Sequence, residues 1–147
     1  MSDGRKYNGP LDTGVGTLND DHSKIFVVLN EVRHGLEKNE PTPDIASGAV
    51  FARELFSLHC AKEEYLMKEA GYANFDAAAK DHRKLSEIFD KFIEDVASGA
   101  ADERNAADLI LAIVEHIRTF DRDYAKSINA VLTVPHLELT MFRDVDG

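Results

Sequence analysis

Apolar residues recur at intervals of three and four through four successive stretches of this chain, and a breaker separates each stretch from the next. That period belongs to the α-helix, and it excludes most sheet architectures before any motif is considered. In the first stretch Ile25, Phe26, Leu29, Val32 and Leu36 mark one face. The pattern predicts a helix from near residue 20, capped by Asn19 or Asp20, to about Lys38. Asn39-Glu40-Pro41-Thr42-Pro43 ends it, because proline disfavours helix at the residue before it.

The second helix is expected near 44–70, capped by Thr42 or Asp44, with Ile45, Val50, Phe51, Leu55, Leu58, Leu66 and Met67 as its apolar positions. Gly71 is its stop. Asn74 caps a third near 75–97, with Leu85, Ile88, Phe89, Phe92 and Val96 on one face, ending at Ser98-Gly99. Asp102 opens a fourth near 102–127, with Leu109, Ile110, Ile113, Ile117, Phe120 and Tyr124 inward. Amphipathic helices joined by short connections imply an all-α, up-down-up-down antiparallel four-helix bundle. Residues 1–17 hold four of the nine glycines and read as an N-terminal arm. Residues 128–147, with Val131-Leu132-Thr133-Val134-Pro135, read as a short tail over the end of the bundle. The whole chain, 1–147, is read as a single domain with its helical core at about 18–127.

The charge of -10 argues against nucleic acid or an anionic membrane as partner, since both repel it. No apolar run approaches the roughly 20 residues that span a bilayer, and no signal-peptide core follows Met1. The lone cysteine, Cys60, can form neither an intrachain disulfide nor a thiolate metal site. These features together predict a cytoplasmic protein.

Against that background stand four of the six histidines and two acids: His22, His59 with Glu63, His82, and His116 with Asp121. His59 and Glu63, four apart, project from one helical face. Every predicted helix carries at least one such residue toward its apolar stripe, where an imidazole or carboxylate is costly unless paired or metal-bound. Imidazole with carboxylate suits iron, zinc or manganese, and two acids among several histidines suit two ions about 3–4 Å apart with carboxylate bridges. The five-residue step from His116 to Asp121 turns about 140° on an α-helix. Both reach one centre if Asp121 points across from the far side, or if a π-turn widens the helix there. Taken singly, each residue has a plainer reading: a hydrogen-bonded core histidine or a solvated acid. Glu64 reads as such a surface acid, Cys60 as a small packed residue, and His34 and His136 as surface or tail.

With these residues in view, the chain resembles the hemerythrin family, specifically single-domain bacterial hemerythrins. Asn19-Asp20-Asp21-His22 resembles the family's first-helix histidine, His59-Cys60-Ala61-Lys62-Glu63-Glu64 its His-x-x-x-Glu signature, and Gly71-Tyr72 the following turn. His116-Ile117-Arg118-Thr119-Phe120-Asp121 resembles its His-x-x-x-x-Asp, so the family supplies the spacing that helix geometry leaves awkward. The resemblance covers roughly residues 15–127. It implies two non-haem iron ions, carboxylate-bridged by Glu63 and Asp121, with an oxo or hydroxo bridge. His22 and His59 would hold one iron, His82 and His116 the other. The family binds dioxygen end-on at the open position of the iron with fewer histidines.

The chain departs from the family at Ala78, one turn before His82, where a further histidine is the rule. No acid replaces it, although Asp81 is a candidate for an outer or non-ideal ligand. The resemblance therefore implies a more open second iron. The leading expectation is an oxygen carrier, store or sensor that takes dioxygen or another small diatomic ligand in an apolar pocket of Ile25, Leu29, Phe56, Ile113 and Ile117. An alternative is a di-iron oxidase, peroxidase or nitric-oxide-handling enzyme that exploits the open position. A third is a relic site holding zinc, one iron or nothing. No protein partner is implied.

Overall fold

The computed structural model describes residues 16–131 and the side chains of 18–127. Helices α1 (Gly16–Glu37), α2 (Thr42–Ala70) and α3 (Phe75–Ser98) are followed by α4 (Glu103–His116), a π-helical segment (Ile117–Asp121) and α5 (Arg122–Val131). The last three run on without a break, so the molecule has four rods. The first packs on the second and fourth, and the third packs on the same two, as in an up-and-down antiparallel bundle. Among the described residues there is no strand.

The breaks fall where their chemistry places them. Gly71 (φ 65°) and Gly99 (φ 79°) close α2 and α3 in the left-handed conformation, which costs glycine little. Asp102 caps α4 by accepting from the Asn105 N–H, while the Asn105 side chain accepts from the Asp102 N–H. Asn39 takes a positive φ of 55° just after α1.

Other expected ends move. α1 starts at Gly16, not near 20, so Asn19 and Asp20 lie inside it rather than at its N-cap; the fully buried Leu18 carries the apolar stripe one turn further back. α2 starts at Thr42 with Pro41 at its N-cap, so neither Thr42 nor Asp44 caps it. Asn74 occupies the α3 N-cap without a side-chain bond to the helix. α5 continues to Val131, so 128–131 are helix rather than tail. The arm before Gly16, the remainder of the tail and His136 lie outside the described residues.

The core divides in two along the bundle axis. One cluster joins Ile25, Leu29, Val32, Ala52, Phe56, Phe89, Phe92, Leu109, Ile113 and Ile117. A second joins Leu18, Leu66, Met67, Tyr72, Ala78, Tyr124 and Ala125. Four residues expected inward are exposed instead: Val50, Phe51, Leu58 and Ile88. Ile110 and Phe120 are half-buried. A helix in a bundle buries only a stripe, and these residues flank it. Cys60 is buried and packed, as expected.

Candidate metal centre

His22, His59, Glu63, His82, His116 and Asp121 are all buried, with Glu63 at 0% and Asp121 at 1% exposure. α1 supplies His22, α2 supplies His59 and Glu63, α3 supplies His82, α4 ends on His116, and the π segment ends on Asp121. They form two groups, each with ligand atoms within 4.8 Å of one another: His22, His59, Glu63 and Asp121, and Glu63, His82, His116 and Asp121. The two carboxylates belong to both.

The π segment resolves the spacing problem of the last rod. Its i→i+5 bonding, seen in the Arg122 N–H to Ile117 carbonyl contact, brings residues five apart onto nearly one face. His116 Nε2 and Asp121 Oδ1 are 3.0 Å apart as a result. Of the two geometries open at the sequence level, the widened helix is the one adopted.

Each carboxylate divides its oxygens between the two histidine pairs. Asp121 Oδ2 lies 2.9 Å from His22 Nε2 and 3.7 Å from His59 Nε2, while Oδ1 faces His116. Glu63 Oε2 lies 3.5 Å from His59 Nε2, while Oε1 lies 2.9 Å from His82 Nε2 and 3.8 Å from His116 Nε2. The rings of His22 and His59 stand 4.8 Å apart, and those of His82 and His116 stand 4.6 Å apart.

Three further acids hold the imidazoles from outside. His59 Nδ1–H donates to Asp21 (3.0 Å), His82 Nδ1–H to Glu64 (2.7 Å) and His116 Nδ1–H to Asp81 (2.6 Å). In every case the acid sits beside a candidate ligand in sequence but serves a histidine on the next helix. Glu64 is thus not the solvated surface acid its position suggested. Asp21 and Glu64 were hidden in the sequence, since an acid on a helix is usually solvated and the partner lies on another rod. The one available signal was that each adjoins a candidate ligand. His34 is exposed, as expected.

The donor set fits cations. Adjacent ligands on one ion, each about 2.1 Å from it, lie about 3 Å apart, close to several of these N···O separations. Buried polar atoms ordinarily find hydrogen-bond partners. Here His22 Nδ1, His59 Nε2, Glu63 Oε2, His116 Nε2 and Asp121 Oδ1 have none, and Tyr124 OH is the one other such atom among the described residues. His82 faces a carboxylate from each ring nitrogen, and a neutral imidazole has only one N–H to give. An ion at Nε2 removes that conflict and balances two buried carboxylates.

In the metal-free protein the set holds itself together by charge. Burial works against ionised Asp121, but the close imidazoles of His116, His22 and His59, of which His22 is hydrogen-bonded to it, outweigh burial and keep its pKa well below the usual value. Burial and the Asp121 charge oppose ionised Glu63, but His59 and His116 hold its pKa down. Burial also opposes protonated His116, yet Asp121 and Glu63 raise it to about 10, and His59 is raised likewise by Glu63, Asp121 and Asp21. Asp21 stays below the ordinary range because His59 and Lys62 outweigh its partial burial. Burial beside Glu63 and Asp121 pushes the Tyr124 phenol far up.

Ala78 is fully buried on α3, one turn before His82, within the second core cluster. Ile25, Leu29, Phe56, Ile113 and Ile117 are all buried and belong to the first.

Two histidine pairs joined by two buried carboxylates, inside four antiparallel helices, define a bundle protein with a candidate dinuclear cation site. The sequence profile of the hemerythrin HHE cation binding domain matches residues 13–128, and the chain belongs to that family. In structure it is similar to a solved wild-type hemerythrin, at 22% identity and a TM-score of 0.74 over 84% of this chain and 96% of that one. At that identity the likeness speaks to the fold. No curated protein sequence matches it significantly.

Proposed function

We propose that this chain is a non-haem di-iron protein of hemerythrin type that binds dioxygen or another small diatomic molecule. His22 and His59 would hold one iron and His82 and His116 the other, with Glu63 and Asp121 shared between them. The observation that carries this reading is the division of each buried carboxylate between the two histidine pairs. A pair of iron ions supplies a place for a small molecule to bind and electrons to exchange with it. The chain's own residues do the rest. Asp21, Glu64 and Asp81 fix the ring orientations. Ile25, Leu29, Phe56, Ile113 and Ile117 line an apolar approach that keeps water and protons away, which favours reversible binding over oxidation. A cytosolic location belongs to the same reading and is supported by the lone, buried Cys60.

Ala78 supports a second reading, an oxidase, peroxidase or nitric-oxide-handling enzyme. Its methyl group cannot coordinate, which leaves the ion at His82 and His116 with an additional open position.

Metal content per chain, with visible spectra before and after oxygen exposure, tests both. Two irons and a spectrum that reverses on removing oxygen support the binding protein; irreversible oxidation with turnover supports the enzyme. Glu63→Ala is expected to abolish the dinuclear centre. A variant that kept two irons per chain would show that Glu63 does not bridge.

A further inference from the structure

Among the described residues, five of the six unpartnered buried side-chain polar atoms belong to the candidate ligand set, and the sixth is the Tyr124 hydroxyl. Tyr124 is fully buried, three residues beyond Asp121 on the same continuous rod. Its ring packs edge-on against Tyr72 at 5.6 Å. The two tyrosines differ in one respect: Tyr72 donates to Asp123 at 2.5 Å, whereas Tyr124 donates to nothing. Of its cluster neighbours only the Met67 thioether, a weak acceptor, and the Tyr72 hydroxyl could accept from it, and neither is bonded to it. The buried charges it feels are Glu63 and Asp121. A buried phenol hydroxyl ordinarily finds a partner, so the position points to an acceptor that is not among the described side chains.

Ala78 is the neighbour that bears on where such an acceptor could sit. It lies in the same cluster as Tyr124, one turn before His82, and its side chain is too short to reach an ion. On the di-iron reading a histidine there would fill a coordination position, and the smaller alanine would leave that position to a small ligand on the Tyr124 side of the site. We propose that Tyr124 donates a hydrogen bond to the small exogenous ligand, a water, hydroxide, diatomic molecule or small anion, that takes the position Ala78 leaves open. This rests on the di-iron reading above. Tyr124 is a positioning residue under it: it orients the ligand and favours one that carries negative charge.

The test uses iron-loaded ferric protein with azide as the probe. Tyr124→Phe is expected to retain two irons per chain and to bind azide about tenfold or more weakly, since a hydrogen bond to a charged group is worth about 1.5–3 kcal/mol. The azide stretching vibration should shift between light and heavy water in the parent and lose that shift in the variant. In an Ala78→His background the position is filled, and Tyr124→Phe should no longer change azide affinity. In metal-free protein Tyr124→Phe should be at least as stable as the parent, because the hydroxyl removed there has no partner. Unchanged azide affinity and an unchanged isotope shift would overturn the proposal and leave the di-iron reading standing. So would a phenolate-to-iron charge-transfer band that vanishes in Tyr124→Phe, or loss of iron from that variant, because Tyr124 would then be a ligand. A parent chain that binds no iron would sink both readings at once.

Discussion

At the scale of the residue, the three outer acids decide how well the imidazoles can act as ligands. An imidazole bound through Nε2 must keep its proton on Nδ1, and an acceptor at Nδ1 fixes that tautomer and raises the basicity of the other nitrogen. Asp81 does this for His116 at 2.6 Å, in the half of the candidate site made by His82 and His116. Asp81→Ala should therefore lower affinity for the ion at His82 and His116 by about 10–100-fold, with far less effect on the ion at His22 and His59. Chelator competition checks this: one ion per chain should leave early and the other at the parental rate. Lys80→Ala, one residue away and exposed, serves as control. Equal loss of both ions in Asp81→Ala would mean that the two halves of the site are not independent.

At the scale of the element, the π segment Ile117–Asp121 is where local preference yields to the site. One residue more than an α-helix needs is accommodated between His116 and Asp121, at the cost of poorer backbone geometry. Deleting the exposed Thr119 should let the rod close as a continuous α-helix. Metal-free protein would then melt no lower than the parent, while the turned and shifted Asp121 carboxylate would cost at least tenfold in metal affinity. Calorimetry of the metal-free form and metal titration read the two effects; parental affinity in the deletion would show that the widened turn serves no purpose in binding. The sequence could pose this problem but not choose between a carboxylate from the far side and a widened helix. Hydrogen-bond register does not show in apolar period. That His22, His59, Glu63, His82, His116 and Asp121 turn inward was legible because an imidazole or acid on an apolar stripe is conspicuous. So were Gly71, Gly99 and Asp102, whose roles depend on their own backbone. Asn19 and Asp20 misled because a good capping residue is equally tolerated on the outer face of a longer helix. Val50, Phe51, Leu58 and Ile88 misled because composition does not show which edge of an apolar stripe a neighbouring rod will cover.

At the scale of the whole molecule, the centre ties all four rods together, so its protonation must be felt in global stability. Without metal, the bundle interior holds ionised Glu63 and Asp121 against protonated His59 and His116. The histidines, whose folded pKa values lie above 6.5, contribute stability that is fully present below about pH 6.5 and is lost as pH rises through the folded values, about 10 for His116. The carboxylates, whose folded values lie below the ordinary 4.5 for Glu63 and 3.8 for Asp121, contribute stability that is present above those values and lost as pH falls through the folded ones. The metal-free bundle should thus be most stable between about pH 4.5 and 6.5 and should weaken toward alkaline pH. Metal binding has the opposite dependence. Its ligands must give up their protons, so ions compete with protons at His59 and His116 and bind better as pH rises. Because ions bind the folded chain and not the unfolded one, the melting temperatures of loaded and chelated protein should diverge from about pH 5 to about pH 9, the chelated form falling as the gap widens. Thermal unfolding of both forms across that range measures it. A chelated protein whose stability is flat or rises over the same interval would mean that the histidines are not held protonated by these carboxylates, and that something other than their charge keeps the ligands converged when no ion is present.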